Sequence, residues 1–399
     1  MGVTRTTKGR LAVKAQASSW GTAETSFTAT DFLEVVGPIV PPMPRETLTV
    51  DTYRPGNSAP LRVPGSKAGG TISFTIPMHG ISATAPVADP TIHPDALIVK
   101  SALGGGSADG YSATVTGGTA AVPTDSGIPA AHSGYAALYL LAAAGRSVGW
   151  NSIVTASTSS ALVAALSAAP VAGAALGSYT TWLSESDAAP LTIDWAGSDA
   201  TAHIRYIDCL PSKVTITLAA KQQPSMEVEF TFLSWTNVGS GGAPADYAYT
   251  YPRLPAFIGA NGARALFAGG SGICPKTVVI EITQSLEQVE CASAIDGVAS
   301  MAWTDRTMRV SVTTTPSTLA ASPWTDSAGD TPAALQIDAS TTPGRAMSVL
   351  LPAPQVAEQG TPVANGNLLG MTTIYEGRVF AADTGTTAPA DTVARIAWL

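Results

Sequence analysis

Residues Met226-Glu227-Val228-Glu229-Phe230-Thr231-Phe232 alternate apolar and polar side chains without a break. Successive side chains on a strand point to opposite faces. The stretch therefore predicts a β-strand with Met226, Val228, Phe230 and Phe232 toward a core and Glu227, Glu229 and Thr231 on a polar face. Upstream, Val214-Thr215-Ile216-Thr217-Leu218 alternates in the same way, and a turn containing Pro224 separates the two runs, which predicts an antiparallel hairpin.

Working outward, the same period of two recurs at Leu11 to Ala15, Leu48 to Asp51 and Thr71 to Ile76. It returns at Val278 to Thr283, Met308 to Thr313, Met347 to Leu351 and Val393 to Leu399. Many short strands bounded by Gly and Pro clusters predict a mainly β fold, a sandwich or barrel with a few flanking helices. Helical spacing of Leu97, Ile98 and Ala102 predicts a helix over Pro94 to Leu103 that Gly104-Gly105-Gly106 terminates. A second helix is predicted over Gly134 to Gly145. The Ala-rich run 160–177 reads as one or two packed helices or a loop-helix insertion, because Pro170 and small side chains keep it short of the roughly 20 strongly apolar residues a membrane span needs.

Composition narrows the function classes. Of 399 residues 45% are apolar, enough to fill two or three cores, yet only 13% are charged. A free monomer ordinarily keeps its neighbours away with a well-mixed charged surface, so this composition points to a surface largely used in contacts. The net charge of -8 and the scattered basic residues argue against tight binding of nucleic acid through phosphates. Cys209, Cys274 and Cys291 are too few and too far apart for a disulfide framework or a paired zinc site, and read as small buried hydrophobes in a reducing cytoplasm. No long apolar stretch follows Met1 to Arg10, so synthesis in a cytoplasm without a secretory leader is expected.

Catalytic and cofactor signatures do not emerge. His79, His93, His132 and His203 stand apart, none with a second ligand at metal spacing. Gly104-Gly105-Gly106 lacks the Lys-Ser/Thr of a phosphate loop, and Gly239-Ser240-Gly241-Gly242 and Gly269-Gly270-Ser271-Gly272 read as turns, not nucleophile elbows. Neither an enzyme nor a cofactor or metal is expected. The paired carboxylates Glu227 and Glu229 share one strand face; a glycosidase pair would also need a sugar cleft and two different environments, and a solvated strand face is the simpler reading.

Several segments together resemble one family. The opening strand Leu11 to Ala17, then Trp20-Gly21-Thr22-Ala23-Glu24-Thr25 and Phe32-Leu33-Glu34-Val35, is similar to the start of tail tube (major tail) proteins of long-tailed, siphovirus-like bacteriophages. So are Gly65 to Met78, the helix ending at Leu103-Gly104, Pro343-Gly344 leading into Met347 to Pro352, the turn Asn365-Gly366-Asn367-Leu368-Leu369-Gly370, and the final Arg395-Ile396-Ala397-Trp398-Leu399. The resemblance implies a sandwich-like tube domain with a flanking helix, joined in rings whose strands close a common β-barrel across subunits. Stacked rings form the hollow tube that delivers double-stranded DNA to the host. It also implies location in the virion tail and, as partners besides further copies of the chain, the tape measure, tail terminator and distal tail proteins. An acidic lumen would repel phosphates and let DNA slide, which makes Glu227 and Glu229 the lumen-facing candidates.

Length departs from the family pattern, since one tube domain leaves much of the chain unexplained. The Gly-rich stretch Asn237 to Asp246 reads as a link between a first unit, residues 1–240, carrying a Gly/Ala-rich insertion at about 104–200, and a second, residues 241–399. With two units per chain a ring closes with three chains, with one unit it takes six. A decoration or fibre component of a virion and, from the eight Trp, a carbohydrate-binding β-protein stand as alternatives.

Overall fold

The computed structural model describes residues 10–17, 20–50, 61–79, 93–105 and 107–114, short stretches between 117 and 163, and residues 175–183, 188–197 and 202–239. Beyond them it describes 264–267, 272–273, 275–291, 297–314, 335–339, 347–351, 354–359, 363–365, 368–377 and 393–398. Strands β1 (Arg10–Ala15) and β2 (Phe32–Leu33), a hairpin of β3 (Arg45–Val50) and β4 (Leu61–Lys67), and β5 (Gly70–Pro77) precede helix α1 (Pro94–Ala102). Next come β6 (Ser107–Thr114), β7 (Gly117–Gly118), β8 (Pro123–Thr124), β9 (Tyr139–Leu141), β10 (Ala156–Thr158), β11 (Ala161–Val163) and β12 (Ala175–Trp182). The middle of the chain forms β13 (Leu191–Ala196), β14 (His203–Ala219) and β15 (Ser225–Asn237), then β16 (Arg264–Phe267), β17 (Gly272–Ile273), β18 (Pro275–Glu290) and β19 (Val298–Thr314). The last part supplies β20 (Leu335–Ala339), β21 (Met347–Leu351), β22 (Pro354–Gln359), β23 (Val363–Asn365), β24 (Leu368–Gly377) and β25 (Arg395–Trp398).

The protein is mainly β, and its sheets are antiparallel. The hairpin around Pro224 forms as the alternation requires, with Val214 opposite Val228 and Ile216 opposite Met226. Its neighbours extend it into a continuous sheet in the order β5-β15-β14-β18-β19-β24-β22. β14 is long enough to serve two neighbours on one edge. Its first half pairs with β13, which continues to β1 and β2, and its second half pairs with β18 through seven residue pairs, Lys213–Ala219 with Thr277–Thr283.

Between its halves β14 changes which side chains face inward. Tyr206 and Ile204 are buried, then Cys209, then Val214, Ile216 and Leu218. The first change coincides with Asp208, whose φ of 58° is left-handed, and the second with a register shift between Pro211 and Lys213.

A second sheet, β17-β16-β20-β21-β25-β12-β6 with β9 beside β12, packs against the first. Ile337, Val349, Leu351, Ile396 and Trp398 from it share one apolar core with Val228, Phe230, Ile280 and Val310. Burying such side chains on both inner faces is the main stabilising term of a two-layer β fold.

Helix α1 contributes Ala96, Ile98, Val99 and Ala102 to this core and touches β14 and β1. Pro94 suits its first turn because that position needs no N–H, and Gly104 (φ 92°) and Gly105 (φ 77°) end it, the Gly105 N–H donating to the Lys100 carbonyl at 2.8 Å.

Two expectations change. Tyr139–Leu141, inside the predicted second helix, is a strand against β12, because a short apolar run serves either element and a partner strand decides. The Ala-rich run contains strand β11 and the start of β12, so what is described of it is extended, not helical. Within the insertion expected at about 104–200, β13 is an integral strand of the main sheet. Gly241 to Asp246 lie outside the described residues, and strands on both sides of residue 240 pair in one sheet. Among the described residues the sheets are open and close no barrel within one chain.

Candidate functional site

The main sheet has two unlike faces, set by alternation along each strand. Inward go Ile72, Phe74 and Ile76 of β5, Met226 to Phe232 at even positions of β15, and Val278, Ile280 and Ile282 of β18. Outward go Thr71, Ser73 and Thr75, then Glu227, Glu229 and Thr231, then Lys213, Thr215 and Thr217, all half-buried or exposed. The surface continues across Glu281 and Thr283, Arg309, Ser311 and Thr313, and Thr372 and Glu376.

Charges alternate along one belt of this face because the register places them so. Glu229 is opposite Lys213, Glu281 opposite Arg309, and Arg309 opposite Glu376. Lys213 Nζ reaches Glu281 Oε2 at 2.8 Å, and Arg309 Nε reaches Glu376 Oε2 at 3.2 Å. Ser212 Oγ donates to Glu229 Oε1 at 3.1 Å. The Lys213 ammonium is held above its ordinary pKa, first by the hydrogen bond to Glu281 and further by the charges of Glu281, Glu227 and Glu229. Between the charges, hydroxyls pair across strands: Thr283 with Thr307 and Thr313 with Thr372, each at 2.8 Å. Four carboxylates, Glu227, Glu229, Glu281 and Glu376, thus meet two cations, Lys213 and Arg309, on a hydroxyl-rich surface with an acidic excess. Glu227 and Glu229 stand exposed on it, as the sequence predicted for the polar face of that strand.

Beside the outer edge of β5 runs the extended segment 34–44, rich in proline. The Val36 N–H donates to the Thr75 carbonyl at 2.8 Å, and Tyr206 Oη and Trp235 Nε1 donate to the carbonyls of Pro42 and Pro44 at 3.2 and 2.8 Å. Pro38, Pro41, Pro42 and Pro44 carry no N–H, so the segment cannot extend the ladder as a full strand. It leaves Val36, Val40 and Met43 exposed by 61, 77 and 52%, an unusual cluster of large apolar side chains in water.

His79 and His203 acquire partners that their sequence spacing did not announce, while His132 lies outside the described residues. His79 Nε2 lies 3.2 Å from Glu34 Oε2 and its Nδ1 3.6 Å from Asp95 Oδ2; buried His203 Nε2 lies 2.7 Å from Asp194 Oδ1, which also accepts from Arg205 Nε at 3.1 Å. These are braces, the second between β13 and β14, since a buried charge needs its counter-charge. Among the described residues no group of three or more His, Cys, Asp and Glu side chains is placed to hold a metal ion.

Asp208, at the turn-over of β14, accepts the Gly21 N–H on both oxygens at 2.8 and 2.9 Å, and burial pushes its carboxyl pKa up. Cys209 is fully buried, as expected, whereas Cys291 is half-buried; Cys274 lies outside the described residues. Among the described residues no helix is long and apolar enough to cross a membrane. No family model matches the sequence, and no curated protein shows a significant match to it.

Proposed function

We propose that the chain is a structural subunit that polymerises in stacked rings into a hollow phage tail tube, with the polar face of the main sheet lining the channel through which double-stranded DNA passes. The observation that carries this reading is that face itself: six neighbouring strands with a continuous core on one side and a hydroxyl-rich, net acidic surface on the other. Such a surface suits a polyanion that must slide, because excess carboxylates prevent phosphate adhesion and paired charges keep the wall from attracting counter-charged side chains. Glu227 and Glu229 are its lumen-facing members in this reading.

Two further features favour assembly with copies of the chain. Among the described residues β22 pairs with β24 alone and the outer edge of β5 carries a single bridge to Val36, and sheet edges are normally covered or paired. The exposed Val36, Val40 and Met43 sit beside one of those edges, where a neighbour would remove them from water.

Negative-stain microscopy of the purified chain tests the proposal. Rings or tubes of uniform diameter are expected; a strictly monomeric mass at high concentration, with no rings on a tail-tip template, overturns it.

A further inference from the structure

The hairpin β3–β4 brings two cations face to face. Arg45 lies directly opposite Lys67 in its register, and like charges so placed repel. On the main sheet the register answers each cation with a carboxylate: Lys213 meets Glu281, and Arg309 meets Glu376. Here none answers. Among the described residues neither Arg45 nor Lys67 has a carboxylate within ion-pair distance, although the chain carries 29 acidic residues against 21 basic ones.

One indole ring holds the pair. The Arg45 guanidinium carbon lies 5.7 Å and the Lys67 ammonium 5.3 Å from the centre of the Trp235 ring. That ring is buried, its N–H fixed on the Pro44 carbonyl at 2.8 Å, and Lys67 Nζ also donates to Thr236 Oγ1 at 3.1 Å. Arg45 stays exposed and Lys67 half-buried, so both meet water from a set position. Two residues before Arg45 in the extended segment, Met43 adds an exposed apolar side chain.

We propose that Arg45 and Lys67, seated on Trp235, form a docking point for a carboxylate-bearing segment of a partner protein. Arg45 takes a carboxylate through its forked N–H groups, and Lys67 supplies the second charge. An oxyanion between the two removes their mutual repulsion. The indole beneath already orders both side chains, so little of their freedom is lost on binding. A peptide fits this place better than a nucleic acid does. Two cations make no stripe along a phosphate backbone, and a duplex offers no apolar side chain to Met43. The site draws on none of the acidic belt and requires no ring, so it stands independently of the tube reading.

Fluorescence anisotropy on the dilute full chain tests it, with a labelled peptide of alternating Glu and Leu beside its counterpart carrying Gln for Glu. The parent is expected to bind the Glu peptide at least about tenfold more tightly than the Gln peptide. Arg45→Gln combined with Lys67→Gln should weaken binding of the Glu peptide by about tenfold or more, and Arg45→Lys combined with Lys67→Arg, which keeps both charges, by less than about threefold. Lys221→Gln, which removes an exposed cation from the turn between β14 and β15, should leave affinity unchanged. A photoreactive form of the Glu peptide should label the parent at residues 43–45 or at 67, a readout that does not depend on how any variant folds. Equal affinity for the two peptides, an equal loss in Lys221→Gln, or labelling confined to other segments overturns the site. So does a DNA duplex that binds more tightly than the Glu peptide and displaces it, because the ligand is then a phosphate backbone.

Discussion

Phe230 and Glu229 are adjacent on β15, and replacing each by alanine tests the assignment of faces on which the tube reading depends. Phe230 is fully buried, its ring centroid 5.7 Å from that of Phe74 with planes 24° apart, and it lies opposite Ile72 and Pro211 in the register. Phe230→Ala removes the ring from a packed core and leaves a cavity, a change that costs about 3–5 kcal/mol. Glu229→Ala removes an exposed carboxylate with a hydroxyl contact from Ser212, which costs less than about 0.5 kcal/mol. The unfolding entropy of a 399-residue chain near its melting temperature is about 0.8 kcal/mol per degree if it unfolds as one unit. The expected drop in Tm is therefore about 4–6 °C for Phe230→Ala and under about 1 °C for Glu229→Ala. Calorimetry of the two variants beside the parent chain measures both. Melting temperatures within about 1 °C of each other would refute the reasoning, because no core could then lie behind that face.

Three other variants probe separate links of the argument. Exchanging both Glu227 and Glu229 for Lys should shift stability by less than about 1 kcal/mol and leave tube assembly intact, yet slow DNA passage through assembled particles by creating phosphate contacts; unchanged ejection kinetics would remove both residues from the lumen. Asp208→Asn keeps the shape of the β14 turn-over without the charge. Because burial raises the folded pKa of Asp208, its ionisation weakens the parent fold as pH rises through that value, so the stability of the Asn variant relative to the parent should be highest near neutrality and decline toward pH 3; a pH-independent difference in urea melts would contradict this. Gly377→Ala drives a Cβ into the Val393 carbonyl oxygen, well inside van der Waals contact, and should cost about 1–3 kcal/mol, detected as a lower urea midpoint.

What the sequence disclosed and what it withheld divide along a physical line. Stretches with one wet face, in β5, the second half of β14, Met226 to Phe232 of β15, Val278 to Thr283 of β18 and Met308 to Thr313 of β19, alternate cleanly and are legible residue by residue, down to the exposed positions of Glu227 and Glu229. The first half of β14 does not alternate, because His203, Ile204, Arg205 and Tyr206 are all buried, and its inward parity changes at Asp208 and again near Ser212. A period-two search stops there, although a positive φ at an Asp is one of the few left-handed positions a non-glycine residue tolerates.

Buried polar partners are hidden for a different reason: Asp194 and His203 lie on separate strands, nine positions apart in sequence, and only strand register brings them to 2.7 Å. The acidic belt is hidden likewise. Glu227 and Glu229 read as a pair, but Lys213, Glu281, Arg309 and Glu376 join them through four strand pairings spread over 164 residues of chain, from 213 to 376 counted inclusively. Alternation therefore says which side of its own strand a residue takes, and pairing says what that side becomes. A lone carboxylate on a wet strand is ordinary solubility, whereas the same carboxylate placed by register into a six-strand wall of hydroxyls and acidic excess is part of the face on which the tube proposal rests.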